Sequence, residues 1–149
     1  MGEMELYREL SAAVALDDGG KVTQLNANLG EGSRARFSAF LTAFFYAVVE
    51  FQFRADRTRG AVVRFVDHMR DTCTNTNPPL KPLIVEGVIR AVLGEEHLLD
   101  EIPPNEQVMY EVPILQHIFV QSPPARSRMD EFLDSAENML GKTTKHNQN

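Results

Sequence analysis

FSAFLTAFFYAVVEFQF, residues 37–53, is the stretch on which the fold class turns. Only thirteen residues between Arg36 and Glu50 carry no charge. As a helix they would span roughly 20 Å, short of a hydrocarbon core of ~30 Å. With arginines near both ends, the stretch does not suit a membrane span. At 100° per residue, Phe37, Phe40, Leu41, Phe44, Val48 and Phe51 gather on one face of a helix, already a complete core stripe. Phe45, Val49, Phe53 and Tyr46 make a second apolar face, interleaved with Ser38 and Thr42. Ala39, Ala43 and Ala47 form a side of small residues, where another helix can come close. A helix apolar nearly all round belongs in an interior. Its first face is the protein's own core. Its second face is closed by the same chain, by a partner subunit, or by a ligand.

The spacing outside this stretch is also helical. Leu6, Tyr7, Leu10, Ala13 and Val14 share one helical face, ended by Asp17-Asp18-Gly19-Gly20. Val22, Leu25 and Leu29 could form a short helix broken at Gly30-Glu31-Gly32. Ser33 is the expected N-cap of the apolar helix, which should run to about Arg57. A helix after Thr58 would bury Val62, Phe65, Val66 and Met69, with a loop at TCTNTNPP. Pro82 suits the first turn of a helix carrying Val85, Val88, Ile89, Val92 and Leu93. Over 105–121 the apolar positions fit a helix, but Pro113 implies a kink or a fresh start, and a strand is the alternative. Ser127, with Asp130 three residues on, is the expected cap of a last helix stopping at Gly141.

The expectation is therefore an all-α protein. It is a single-domain helical bundle, residues 1–141, of five or six helices around a central apolar helix at about 33–57. A polar tail, 142–149, should be disordered. At 149 residues the chain can bury a sizeable core without disulfide or metal. The single cysteine, Cys73, fits a reducing compartment, and the acidic start MGEMELYREL lacks the pattern of a secretion signal. A cytoplasmic protein is expected.

The net charge of −6 speaks against nucleic-acid binding, which needs a basic excess. The charge is uneven. Residues 34–72 hold Arg34, Arg36, Arg54, Arg57, Arg59, Arg64 and Arg70 against Glu50, Asp56, Asp67 and Asp71. Between Gly94 and Val112 lie Glu95, Glu96, Asp100, Glu101, Glu106 and Glu111, with no Lys or Arg. Such asymmetry can orient a partner.

No catalytic or cofactor signature stands out, and no cofactor is expected. Glu50 beside apolar surface could be a tuned acid, but Arg54 and Arg57 suggest an ion pair. Cys73 with His68 could form a thiol–imidazole pair, yet Cys73 also continues an apolar stripe. Glu96, His97, Asp100 and Glu101 are the densest set of metal-ligand types, without a second set to complete a site. His117, in ILQHIFV, reads as a hydrogen-bonded core histidine or a pH-sensitive group. Gly30-Glu31-Gly32-Ser33-Arg34 falls short of a phosphate-loop pattern.

Two functions fit. The first is a non-catalytic interaction module that self-associates as a symmetric homodimer or docks another protein. The second is a helical protein, sensor or enzyme, with an apolar, aromatic-lined pocket for a small hydrophobic or anionic ligand. Either way the interface or pocket residues are Phe45, Tyr46, Val49, Phe53, Arg54, Arg57 and His117.

Overall fold

The computed structural model describes residues 2–72 and 80–147, the last six of these as backbone alone. Among the described residues all regular structure is helical. The α-helices are α1 (Glu3–Ala15), α2 (Gly19–Asn26), α3 (Arg34–Gln52), α4 (Arg59–Thr72), α5 (Pro82–Val92), α6 (Pro104–Gln121), α7 (Pro123–Ser127) and α8 (Met129–Asn147). Tighter 3₁₀ turns cover Glu31–Ser33 and Glu96–Glu101. That is more than the five or six helices expected, because 19–26 and 123–127 each close their own hydrogen bonds. No described helix is long and apolar enough to cross a membrane. Cys73 and the TNTNPP segment, residues 74–79, lie outside the described residues.

The capping chemistry differs from the expectation at three places. Ser33 makes no cap to α3; it sits in the 3₁₀ turn and its hydroxyl donates to Glu3, 3.2 Å away. Ser127 closes α7 instead of opening α8, and its hydroxyl donates to the Pro124 carbonyl at 2.8 Å. The cap at this bend is Ser122, whose Oγ accepts from the Ala125 N–H at 3.2 Å. Gly141 does not stop α8, whose backbone stays helical to Asn147, within the segment expected as a disordered tail.

Pro113 neither kinks α6 into two helices nor turns it into a strand: the helix runs through it. The missing N–H deprives the Met109 carbonyl of its usual partner. Met109 is exposed, so water can serve that carbonyl.

α3 packs chiefly against α8 and also against α1, α5, α6 and α7. Its first face meets aromatic rings. Tyr7 of α1 lies 5.9 Å from both Phe37 and Phe40. Phe44 stacks on Phe119 of α6 at 6.1 Å, and Phe51 meets Phe132 of α8 edge-on at 5.3 Å. Offset and edge-on geometries of this kind suit the ring quadrupoles.

The second face is covered from within the chain. Phe45 is 1% exposed, Val49 0% and Phe53 4%. Phe65 of α4 sits edge-on to Phe53 at 5.5 Å, and α5, with its buried Val85, Val88, Ile89 and Val92, packs on both α3 and α4. Of the closures that the spacing allows for this face (the same chain, a partner subunit or a ligand), the burial of Phe45, Val49 and Phe53 shows the first.

Candidate functional site

α3 ends at Gln52, five residues earlier than the spacing suggests, because the chain turns at Asp56. One Asp56 oxygen accepts from the Thr58 N–H at 3.0 Å and from its hydroxyl at 2.6 Å. The Thr58 Oγ in turn accepts from Ala61 N–H at 3.3 Å and starts α4. The other Asp56 oxygen faces Arg64 at 3.4 Å. The Thr58 hydroxyl, followed by its N–H, holds the Asp56 carboxyl below the usual range.

This turn, α4 and the C-terminal half of α6 enclose an open cleft of about 380 Å³. Gln52, Phe53, Ala55, Asp56, Ala61, Arg64, Phe65, His68, His117 and Gln121 line it. Two histidines meet there: His68 Nδ1 lies 3.0 Å from His117 Nε2. His117 is 6% exposed, and Phe65 stands edge-on to its ring at 5.2 Å. The second His117 nitrogen, Nδ1, is 3.5 Å from the Thr72 hydroxyl.

One nitrogen of the His68–His117 contact must donate and the other accept. A proton on His117 Nδ1 has the Thr72 oxygen to point at. In that tautomer His117 Nε2 accepts and His68 Nδ1–H donates. His68 Nε2 then presents a lone pair on the exposed side of the pair. Burial, helped by the neighbouring His68, pulls the His117 pKa below its ordinary value. Protons on His68 Nδ1 and His117 Nε2 together would set two donors face to face.

The other expected site residues lie elsewhere. Phe45, Val49 and Phe53 are core, with only Phe53 touching the cleft wall. Arg54 turns back over Phe51, 3.9 Å from the ring centre, and donates to the Phe51 carbonyl at 2.7 Å, so it leaves Glu50 alone. Arg57 donates to the Leu93 carbonyl at the end of α5 at 3.2 Å. Arg59 faces Glu86 at 3.6 Å. The arginine cluster is thus dispersed onto partners within the chain.

Tyr46 is half-buried between two further hollows. One, about 350 Å³, is lined by Ser38, Ala39, Thr42, Ala43, Tyr46, Met139 and Leu140. The other, about 530 Å³, joins Tyr46 to Glu96, His97, Leu99 and Asp100. Burial, then Glu96 and Glu111, raises the Tyr46 pKa. Glu101 does not join this lining, and among the described residues no three His, Cys, Asp or Glu side chains converge on a metal position.

Two functional groups escaped the sequence. The His68–His117 contact joins residues 49 apart on different helices. Glu111 was counted with the acidic run, yet it is 4% exposed. Among the described residues its two oxygens share one donor, the Thr42 hydroxyl, 3.1 Å from each. Burial raises the Glu111 pKa to about 7, against the lowering effect of Thr42. Its position three residues before Ile114 and four before Leu115 was the available signal, since that places it on the apolar side of α6.

No family model, no curated protein and no solved structure matches this chain.

Proposed function

We propose that this is a small-molecule-binding helical protein whose ligand lies in the cleft between the α3–α4 turn, α4 and α6. One observation carries the reading: a buried histidine paired with an exposed one at 3.0 Å in a cleft walled by Phe53 and Phe65. Ligand sites are typically concave and mainly apolar, with a few placed polar groups, and run to ~300–1,000 Å³. The cleft has that size, those walls and a small polar set in Gln52, Arg64, His68, His117 and Gln121. A homodimer built on Phe45, Val49 and Phe53 has less support, since those side chains are already enclosed.

The test is a thermal-shift screen of a metabolite library on the wild type and on Ala61→Phe, which fills the cleft. A compound present a hundredfold above its Kd adds about 2.7 kcal/mol, or ~5–10 °C in Tm. Hits in the wild type that vanish in Ala61→Phe support the reading. An empty screen, or hits indifferent to the substitution, would overturn it.

A further inference from the structure

Electrostatics in the cleft narrow the class of ligand. The charged or titratable groups lining it are Asp56 from the turn, Arg64 and His68 from α4, and His117 from α6. α3 contributes the neutral Gln52, and α6 also the neutral Gln121. Asp56 is committed: one oxygen takes both Thr58 donors and the other faces Arg64. A cationic ligand would have to displace those partners. Arg64 and Asp56 offset each other, so the histidine pair sets the sign of the site. That pair can be neutral or carry one positive charge, never a negative one.

The walls narrow the shape. Phe53 and Phe65 stand edge-on at 5.5 Å, and Phe65 and the His117 ring edge-on at 5.2 Å, with Ala55 and Ala61 leaving room beside them. Phe65, half-buried, has ring surface left for a planar apolar body to pack against, whereas Phe53, 4% exposed, serves as wall. The same two nitrogens would give a metal ion only two protein ligands, because no third donor joins them among the described residues.

Resting on the ligand-cleft reading above, we propose that the ligand is an organic carboxylic acid with a flat apolar body, and that its binding takes up a proton. The proton goes from solvent to His68 Nε2. No covalent bond is made, and the imidazolium Nε2–H donates to the ligand carboxylate. His68 Nδ1–H continues to donate to His117 Nε2, so the buried partner stabilises the cation. Charge-assisted hydrogen bonds are shorter and about twice as strong as neutral ones, which gives the acid its advantage over a neutral analogue.

The probes are benzoate, its neutral counterpart benzamide, and inorganic phosphate, which has charge without the body. Binding is followed by the histidine ring signals in NMR and by calorimetry in two buffers of unlike ionisation enthalpy. Benzoate should move the His68 and His117 signals and bind more tightly at pH 6 than at pH 8, by up to about tenfold per pH unit. It should draw in protons at pH 8 and outcompete both benzamide and phosphate. His68→Gln, at an exposed position that leaves the fold intact, should remove the pH dependence and the preference for the acid. Benzoate binding that is independent of pH, equal to benzamide, or retained in His68→Gln would overturn the acid assignment and leave the cleft reading standing. No response to any of the three probes at ~20 mM would also overturn the acid assignment. The cleft reading is decided separately by the library screen: it falls if that screen is empty or if its hits persist in Ala61→Phe.

Discussion

Replacing Glu111 by glutamine should stabilise this protein more and more as the pH rises. Glu111 is 4% exposed between α3 and α6, and among the described residues a single hydroxyl serves its two carboxyl oxygens. Its folded pKa of about 7 stands above the ordinary 4.5. The unfolded chain therefore releases this proton at lower pH than the native state does. Below pH ~4.5 both states are protonated and Glu111 costs nothing. Between ~4.5 and ~7 the native state must hold a proton or bury a charge, and stability falls. Above ~7 both states are ionised and the loss is complete. At 1.36 kcal/mol per tenfold in proton affinity, the full loss is about 3 kcal/mol. That is a large share of the 5–15 kcal/mol typical of a domain. The assay is urea unfolding of the wild type and Glu111→Gln at half-unit steps from pH 4 to pH 8.5. Subtracting the two curves cancels every other titrating group. The difference should climb by about 3 kcal/mol across pH 4.5–7 and then flatten, which in Tm is ~6–12 °C at pH 8. A difference that stays flat, or climbs by less than ~1 kcal/mol, would show that water or an unseen donor reaches the carboxylate and would refute the reasoning.

Two further outcomes follow from the packing. Phe45→Asp should abolish folding, because it places an unpaired charge where the native ring is 1% exposed; a folded, soluble monomer by circular dichroism and sedimentation would show that this face is open after all. Pro113→Ala should raise stability by about 1–2 kcal/mol, since it restores a helical N–H opposite the Met109 carbonyl while freeing the unfolded chain somewhat; a loss in denaturant midpoint would mean that the proline ring is needed for packing.

The all-helical class was legible in the sequence because side-chain periodicity is local. FSAFLTAFFYAVVEFQF repeats its large apolar residues at three and four, which no strand would tolerate, and Pro82 opens α5 where its missing N–H is harmless. Where two local rules competed, the sequence was ambiguous. Pro113 argued for a break, yet the surrounding turns and its place opposite the exposed Met109 let α6 continue. Ser127 had the chemistry of a cap for α8, but it lies at the end of the short α7, which Ser122 opens just before two prolines.

The candidate site was much less legible. His117 stood out as a polar group in ILQHIFV, and His68 was noted beside Cys73, but nothing in the order of residues says that they touch. Their contact exists because α4 is folded back beside α6, which is a matter of tertiary packing. The same holds for Glu111, whose burial depends on α3 closing over α6 through Thr42. The sequence by itself determined that this chain must be helical and that the large apolar side chains of residues 37–53 belong in an interior, since hydrophobic spacing and charge are properties of neighbours along the chain. Only the tertiary structure decided what buries them. It buried Phe45, Val49 and Phe53 within the chain itself, and left a cleft lined by His68 and His117 beyond the end of α3, because which faces meet depends on helix lengths and turns that no single segment encodes.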